Sequence, residues 1–253
     1  MICEVQRTEN AAPLFAGWQE TIIWSCLQKV MGHIYADVTE NPKSAMALLG
    51  DFCFLAGKPD RELVLFKPKH LNRDFVIMVP GTEDWEEVIR NSYGDKARKV
   101  TRYAMKKEPD VFRKDELREA VNRFNDPIKA IDEELFHKCG KMQWCRDLVA
   151  QYADYETYRR YGLGFVVMKG EEIVAGASSY SGYQGGIEIE IDTKEAYRRQ
   201  GMAYACGARL ILECLERGWY PSWDAQNLWS VALAQKLGYH FDHEYTAYEI
   251  WGY

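Results

Sequence analysis

Long apolar runs are missing from this chain of 253 residues. No stretch approaches the roughly 18 consecutive apolar residues that a membrane-spanning helix needs. The first thirteen residues, MICEVQRTENAAP, mix charged and apolar side chains and predict no signal peptide. We therefore expect a cytoplasmic protein with no membrane partner.

An excess of basic residues is also missing. The 32 Lys and Arg against 38 Asp and Glu give a formal charge of -6, and the pI is about 5.5. Proteins that bind nucleic acid are more often basic, so no nucleic-acid partner is expected. The seven cysteines lack the short repeating spacings of a disulfide framework. Reduced thiols, packed as small apolar side chains, are the expected state.

Several catalytic and metal motifs are absent as well. The sequence contains neither a GxSxG nucleophile motif nor a GxxxxGK[ST] phosphate loop. His137, Cys139 and Cys145 carry donor atoms for zinc, but their spacing matches no standard site. No metal is therefore predicted.

What remains is an ordinary globular composition, with 47% hydrophobic and 28% charged residues. In the first hundred residues, apolar side chains from Trp18 to Ile34 recur at helical spacing. Residues 51–56 and 74–79 read as short buried strands, and residues 84–93 as a helix. Residues 1–100 are therefore predicted to form an N-terminal α/β domain of unknown role.

Residues 96–107 are locally basic, and their spacing fits either a helix face or a strand. The positive charges suit a solvated surface or an anchor for a ligand phosphate. Residues 115–160 look mainly helical, interrupted at Pro127. The domain boundary is predicted near residue 100.

The second half alternates strands and helices more clearly. Strands are expected at residues 164–168, 173–179, 187–192, 221–225 and 244–250, with a Gly-rich loop at 180–186. Helices are expected from the 198–203 loop to about Arg217 and over 228–237. Neighbouring strands followed by strands separated by helices predict a mixed sheet in an α/β (α+β) fold.

The most informative segment joins the strand at 187–192 to the long helix. The sequence Arg-Arg-Gln-Gly-Met-Ala, residues 198–203, forms a tight loop that opens directly into that helix. A helix N-terminus offers unpaired N–H groups and the positive end of a dipole, which suit a phosphate. Gly201 lets the backbone approach a ligand, and the arginines add positive charge. The alternative is a plain strand-to-helix connection with solvent-exposed arginines.

The pattern Arg198-x-x-Gly201-x-Ala203 resembles the acetyl-CoA pyrophosphate loop of the GNAT N-acetyltransferase superfamily. Asn227-Leu-Trp-Ser230 and Ala-Gln-Lys-Leu-Gly-Tyr at 234–239 are similar to its second CoA-contacting segment. The wider arrangement resembles the bacterial branch that includes zwittermicin-resistance acetyltransferases. The resemblance implies a GNAT-like, mostly antiparallel mixed sheet flanked by helices over residues 101–253, with the CoA signature at 185–239.

The resemblance also implies acetyl transfer from acetyl-CoA, as cosubstrate, to a primary amine. The strand backbone at Ile189, Ile191 and Thr193 would pair with the pantetheine arm. The loop would hold the pyrophosphate through residues Arg198, Arg199, Gln200, Gly201, Met202 and Ala203. Asn227 and Ser230 would contact the cofactor from the next helix. Asn227 also suits a helix N-cap, and the two roles can coexist.

An attacking amine must be neutral, so a general base assists the reaction. Glu188, Glu190 and Asp192 alternate along one strand and therefore share a face. Mutual repulsion can raise the pKa of one of them, which suits deprotonation of an ammonium group. The superfamily often takes its base from this strand, so Glu190 is the first candidate and Glu188 the second. An exposed polar face, or a surface that attracts a cationic acceptor, is the alternative.

The superfamily often protonates the departing thiolate with a tyrosine seven residues after the asparagine, where this chain has Ala234. Tyr239 lies nearby and is a weak candidate, although core packing is its default role. The substitution keeps a second hypothesis open, in which the chain binds acetyl-CoA without catalysis as a sensor or interaction module. A third makes the acceptor a protein amine. We expect a small cationic acceptor and, by default, a homodimer.

Overall fold

A computed structural model describes residues 1–69, 71 and 73–253. The chain divides into two units, the first formed by residues 1–102 and 244–253 and the second by residues 103–243. The sequence suggested one continuous second domain, 101–253. The last ten residues belong instead to the first unit, because residues 248–251 pair there with residues 75–78 of another strand.

The first unit is built on one sheet. Its strands are β1 (Cys3–Glu4), β2 (His33–Ala36), β3 (Ser44–Leu49), β4 (Phe52–Gly57), β5 (Phe75–Pro80), β6 (Ala97–Met105) and β13 (Phe241–Trp251). Its helices are α1 (Thr21–Leu27), α2 (Arg61–Val64) and α3 (Glu83–Tyr93). The order is β1-β2-β3-β4-β5-β13-β6. The β4–β5 pair is parallel, and β13 runs antiparallel to β5.

The core of the first unit follows from its apolar strand residues. All six residues of β3 are buried, and so are the first five of β4. The strands predicted at 51–56 and 74–79 are confirmed. The helix predicted at 84–93 is α3, which buries Trp85 and Ile89 completely. Acidic residues in its first turn suit the positive end of the helix dipole.

The helix predicted from Trp18 to Ile34 is wrong in its extent. Helix α1 ends at Leu27, and Ile34 lies in β2. Lys29 and Gly32 have positive φ values of 56° and 74°, which break the helix. A Cβ at Gly32 would lie 2.6 Å from Cys26 Sγ and 2.7 Å from the Leu48 carbonyl oxygen, so only glycine fits this turn.

Most of the basic segment forms strand β6, and three of its cations have partners within the first unit. Arg98 pairs with Glu249 at 2.9 Å, and Lys99 pairs with Glu86 at 2.8 Å. The guanidinium of Arg102 is buried over the ring of Phe52, 4.7 Å from the ring centroid. These contacts favour a structural role over the phosphate anchor that we considered.

The second unit contains a five-stranded sheet in the order β11-β10-β9-β8-β7. The five strands of this sheet are β7 (Ile128–Ala130), β8 (Gly164–Lys169), β9 (Glu172–Tyr183), β10 (Gly186–Thr193) and β11 (Tyr220–Ser222). A further short strand of this unit, β12 (Asp224–Ala225), lies outside the sheet. The helices of the second unit are α4 (Lys114–Asn122), α5 (Glu133–Lys141), α6 (Tyr155–Tyr161), α7 (Met202–Glu216) and α8 (Leu228–Lys236). The β10–β11 pair is parallel and the other pairs of this sheet are antiparallel.

Helix α7 covers one face of this sheet and closes the core of the second unit. Its buried residues include Ala205, Cys206 and Leu210. Gly207 allows the close approach of Leu237 and Ile191, whose side chains would lie 2.9 and 3.2 Å from a Cβ at that position. The predicted α/β fold with a mixed, mostly antiparallel sheet is confirmed.

The Gly-rich loop predicted at 180–186 is shorter than expected, because β9 continues to Tyr183 and β10 begins at Gly186. Gly182 packs directly against the backbone of Tyr161, where a Cβ would lie 2.0 Å from the carbonyl oxygen. This glycine serves close packing within a strand, not a turn. Among the helices that the structure describes, none is both long and apolar enough to cross a membrane.

Candidate functional site

Strands β10 and β11 run parallel for three residues and then separate. Gly186, Ile187 and Glu188 pair with Tyr220, Pro221 and Ser222. Beyond that point β10 continues to Thr193 along β9, whereas β12 pairs with Tyr103 and Ala104 of β6. Within the described part of the chain, β10 therefore offers one backbone edge, residues 189–193, that β11 does not cover. This opening can take an extended ligand arm by strand-like hydrogen bonds.

The predicted phosphate loop lies at the end of that open edge. Gly201 has φ 81° and ψ −1°, and α7 begins at Met202. Apart from its chain neighbours, no heavy atom of the described residues lies within 4 Å of the position that a Cβ would take at Gly201. The first turn of α7 contains no acidic residue. An exposed 15-residue helix N-terminus with open space before it suits an anion such as a pyrophosphate.

The loop is tied to the neighbouring strands. Glu172, at the start of β9, pairs with Lys194 and accepts a hydrogen bond from the Tyr197 hydroxyl at 3.0 Å. The pKa of Glu172 is lowered, first by its hydrogen bond with Lys194. Arg198 donates from Nε to the Thr193 carbonyl at 3.3 Å. These contacts hold the loop in shape, and no sequence signal predicts them because 22 residues or more separate Glu172 from its partners.

The second predicted cofactor segment forms the start of α8. Asn227 is the N-cap, since its Oδ1 accepts a hydrogen bond from the Ser230 amide at 3.0 Å. Ser230 Oγ in turn accepts a hydrogen bond from Trp223 Nε1 at 3.1 Å. The N-cap role predicted for Asn227 is therefore confirmed. Its side chain is exposed, which leaves the proposed contact with a ligand open.

The side chains of β10 divide between two faces. Ile187, Ile189 and Ile191 pack into the core beneath α7. Glu190 and Asp192 stand opposite Ser178 and Gly176 of β9. Ser178 Oγ contacts the Tyr158 hydroxyl at 2.8 Å, which marks the face away from α7. Strand alternation thus presents the predicted acids on the side that α7 does not cover.

The two glutamates of β10 differ in exposure. Glu188 is buried, with 6% of its surface exposed, whereas Glu190 is only partly buried. Burial is the largest cause that raises the pKa of three tyrosines in the second unit, Tyr183, Tyr220 and Tyr239, and the negative charge of Glu188 adds to each rise. For Tyr220 the pKa is raised to about 12, with burial as the largest cause. Glu188 therefore lies in a buried, phenol-rich region, and Glu190 is the more accessible carboxylate.

Asp192 lies near the open end of β10. Burial raises its pKa, and the charge of Asp147 adds to the rise. The Thr193 amide, which donates to Asp192 Oδ1 at 2.7 Å, and the charge of Arg198 oppose the rise. The sequence predicted that repulsion among the acids on this face raises the pKa of one of them. At Asp192, burial raises the pKa more than the charge of a neighbouring acid does.

A buried tyrosine–serine network that the sequence did not predict fixes the middle of β9. Tyr152 donates to Ser179 Oγ at 2.7 Å, and Ser179 Oγ accepts the Leu163 amide at 3.1 Å. The β9–β10 register shifts by one residue at this point, so that Glu188 pairs with Ser181 and Ile189 with Ser179. Such a β-bulge re-aims a strand beside functional residues. The contacts join distant segments, so no local motif signals them.

Tyr239, the weak candidate for a general acid, is buried in the core. Its hydroxyl donates to the Pro221 carbonyl at 2.6 Å, and burial raises its pKa well above the ordinary value. Ala234, at the position where a tyrosine was sought, is fully buried. This placement favours a packing role for Tyr239.

A metal site requires a group of side chains that carry donor atoms. Across residues 1–69, 71 and 73–253, no three His, Cys, Asp or Glu side chains are arranged to hold a metal ion. Cys145 donates from Sγ to the Cys139 carbonyl at 3.9 Å. Both thiols are buried in the second unit.

Comparison with known proteins links this chain to one family. A family model described as GNAT acetyltransferase matches residues 12–248. Among curated proteins, the uncharacterized N-acetyltransferase YdfB of Bacillus subtilis (strain 168) is 28% identical over 254 residues. The match covers 90% of this chain and 89% of that protein.

Solved structures agree with this match. A GCN5-related N-acetyltransferase-like protein from Streptococcus suis 89/1591 is 46% identical, with a TM-score of 0.91, over 97% of this chain and 98% of the other. A GNAT-family acetyltransferase from Colwellia psychrerythraea is 10% identical, with a TM-score of 0.53, and the match covers 99% of both chains. The second likeness concerns the fold alone.

Proposed function

Because the chain belongs to the GNAT acetyltransferase family, we propose that it transfers the acetyl group of acetyl-CoA to the primary amine of a small cationic acceptor. The family and its curated relative establish an N-acetyltransferase, and acetyl-CoA is the cosubstrate of this family. The proposal adds the acceptor class, the residues and the base. The observation that carries it is the separation of β10 from β11 beside the open N-terminus of α7.

This arrangement suits two parts of acetyl-CoA, the pantetheine arm and the pyrophosphate. The open edge of β10, with Ile189, Ile191 and Thr193, would pair with the amide groups of the pantetheine arm. The α7 N-terminus, with the loop at 198–203, would hold the pyrophosphate through backbone N–H groups. The exposed side chains of Arg198 and Arg199 add positive charge at the same place. Asn227 and Ser230 would contribute from the first turn of α8.

Glu190 is the proposed general base. Its carboxylate takes a proton from the acceptor ammonium, and the freed nitrogen lone pair attacks the thioester carbonyl carbon. The C–N bond forms, the C–S bond breaks, and the sulfur leaves with its electron pair. The nitrogen then loses its second proton to the departing thiolate, which gives the neutral amide and the CoA thiol. Glu190 suits this role because it is partly exposed on the face away from α7, whereas Glu188 is buried. Glu188 is the second candidate.

The departing thiolate needs no assigned protein acid in this proposal. A free thiol has a pKa of about 8.5, so the thiolate is a tolerable leaving group near neutral pH. Tyr239 remains a weak candidate, since its hydroxyl already donates to the Pro221 carbonyl. Ala234 offers no proton.

The cationic acceptor is inferred from the acidic face of β10. Glu188, Glu190 and Asp192 share this face, and the second unit adds Asp147 near Asp192. Carboxylates so arranged attract an ammonium group and disfavour an anionic acceptor. Amino sugars and peptide-like amines have this chemistry, and the amine of a protein is the alternative acceptor.

The proposal predicts that Glu190→Gln lowers kcat for amine acetylation by about 10²- to 10⁴-fold, the usual contribution of a general base. The Kd of acetyl-CoA should stay within about twofold, because the carboxylate side chain points away from the strand edge. Release of the CoA thiol measures turnover. Glu171→Gln, an exposed carboxylate at the turn before β9, is the matched control. Equal turnover by Glu190→Gln and wild type would remove Glu190 as the base.

The acceptor class is tested by competition. A panel of amino sugars, polyamines and lysine peptides should show thiol release, fastest for small cations with a free primary amine. Small amines should also inhibit acetylation of peptides. If peptides are acetylated faster than small amines, and small amines do not inhibit that reaction, the acceptor is a protein amine and not a small molecule.

A further inference from the structure

The first turn of α8 exposes two large apolar side chains beside the phosphate loop. Trp229 is 77% exposed and Leu228 is 65% exposed. The other side of this helix is packed, since Val231 and Ala234 are buried. An indole presented to solvent at this place is available to an aromatic ligand group.

The backbone that carries Trp229 is held on both sides. Asn227, two residues before it, caps the helix through the Ser230 amide. Ser230, the residue after Trp229, accepts a hydrogen bond at its Oγ from Nε1 of the buried Trp223 at 3.1 Å. A side chain with two rotatable bonds on a fixed helical turn loses little conformational entropy when a ligand stacks on it. The indole of Trp229 is therefore fixed in a position where a planar group can stack on it, and we call it the platform.

A cation from the phosphate loop lies beside the same ring. The Arg199 guanidinium carbon is 5.5 Å from the centroid of Trp229. Arg199 has φ 62°, a left-handed backbone conformation that is uncommon for residues other than glycine. The guanidinium of Arg199 thus lies next to the exposed indole, although the backbone of Arg199 adopts a less favourable conformation.

We propose that Trp229 and Arg199 form the adenosine subsite of this enzyme, with the indole stacking on the adenine ring and the guanidinium binding the 3′-phosphate of acetyl-CoA. This inference rests on the proposed use of the 198–203 loop for the pyrophosphate. The pyrophosphate links the pantetheine arm to the adenosine, so adenine must lie next to the loop. Adenine has an aromatic face for an indole, and the adjacent phosphate suits a planar guanidinium.

Calorimetric titration with three probes tests the platform. The probes are acetyl-CoA, acetyl-dephospho-CoA, which lacks the 3′-phosphate, and S-acetyl-4′-phosphopantetheine, which lacks the adenosine, its 3′-phosphate and one phosphate of the pyrophosphate. Trp229→Ala should raise the Kd of the first two about tenfold and leave the third within about twofold. Trp229→Phe keeps an aromatic ring and should stay close to wild type. Trp251→Ala, a tryptophan 58% exposed in the first unit, is the matched control.

The role of Arg199 is tested separately. Asn tolerates a positive φ, so Arg199→Asn removes the guanidinium with little change of the loop backbone. This variant should raise the Kd of acetyl-CoA by about fivefold or more relative to its effect on the Kd of acetyl-dephospho-CoA, because only acetyl-CoA carries the 3′-phosphate. Equal weakening of both probes would overturn the assignment of Arg199 to that phosphate.

The outcomes separate this inference from the proposed function. If wild type binds acetyl-CoA and Trp229→Ala binds it equally well, the platform is overturned and the acetyl-CoA loop stands. An equal loss of affinity for all three probes in Trp229→Ala would also overturn the platform, because the substitution would then disturb the phosphate loop and not the contact with adenine. A folded wild type that binds no acetyl-CoA would overturn both proposals.

Discussion

Asp192 illustrates how surroundings distinguish similar residues on one strand. It lies four residues from Glu188 and two from Glu190, and its own pKa is raised by burial and by the charge of Asp147. The alternation of acids along β10 could be read from the sequence because it depends on local strand geometry. The different burial of these acids could not be read from the sequence, because it depends on residues that distant segments bring to this face. Tyr158 contacts Ser178, and Leu148 packs against Gly176.

A raised carboxyl pKa predicts the pH dependence of stability at Asp192. In the folded state the ionised form costs more than in the unfolded state, where the pKa is near 3.8. Asp192→Asn should therefore raise the free energy of unfolding at pH 7. The gain should shrink as the pH falls through the raised pKa, and vanish below about pH 3.8, where both states hold the proton.

Urea unfolding at several pH values measures this effect. Asp147→Asn removes the charge that adds to the rise, and in that background the gain from Asp192→Asn at pH 7 should be smaller. A gain that is constant from pH 3 to pH 8, or a loss of stability at pH 7, would contradict the assignment.

At the scale of elements, the segment from β10 to α7 was the easiest to predict. Its loop residues are consecutive, and the strand, Gly201 and the helix follow one another directly along the chain, so local sequence signals mark them. Two other local predictions were less accurate. The helix at Trp18–Ile34 was too long because left-handed residues interrupt it, and β3 was not predicted because its buried residues show no alternation.

Helix α8 yields a prediction that separates capping from ligand binding. Asn227→Ala removes the 3.0 Å N-cap bond and should lower the free energy of unfolding by about 0.5 to 2 kcal/mol. Asn227→Asp retains a capping oxygen and should keep the stability near wild type. If the amide also contacts acetyl-CoA, Asn227→Asp should weaken binding several-fold in titration, because the carboxylate cannot donate a hydrogen bond.

Two results would oppose this interpretation. Equal stability of Asn227→Ala and wild type in chemical unfolding would remove the capping role. Wild-type affinity in Asn227→Asp would limit Asn227 to capping.

At the scale of the whole molecule, the C-terminal strand was the feature least accessible from sequence. The strand at 244–250 was predicted, but its partner was not. Tyr248 pairs with Met78 across 170 residues of chain, and its hydroxyl donates to Glu86 Oε2 at 2.7 Å. Strand pairing over such a distance leaves no periodic signal. Both units nevertheless have their own apolar cores, as the composition predicts.

The distribution of cysteines predicts how the native protein reacts with a thiol reagent. Six of the seven cysteines are buried, and Cys3 is half-buried. Burial raises the pKa of Cys26 and Cys206 to about 12 and raises that of Cys53 and Cys214 further. A disulfide-exchange reagent at pH 8 should therefore modify at most one thiol quickly and all seven after unfolding in guanidinium. Rapid modification of three or more native thiols would contradict this burial.

The central claim is that the 198–203 loop binds acetyl-CoA, and calorimetric titration with acetyl-CoA tests it most directly. Gly201→Glu places a negative charge at the α7 N-terminus, in a backbone state that disfavours side chains. Gly218→Glu is the matched control. Gly218 follows the other end of the same helix, about 22 Å away, with φ 70° and equally open space.

Wild type and Gly218→Glu should bind acetyl-CoA with roughly micromolar Kd, whereas Gly201→Glu should lose about a hundredfold or more in affinity, since a like charge would face the pyrophosphate. Undiminished binding by a folded Gly201→Glu variant would contradict the placement of acetyl-CoA on this loop, and a folded wild type that binds none would contradict the account as a whole.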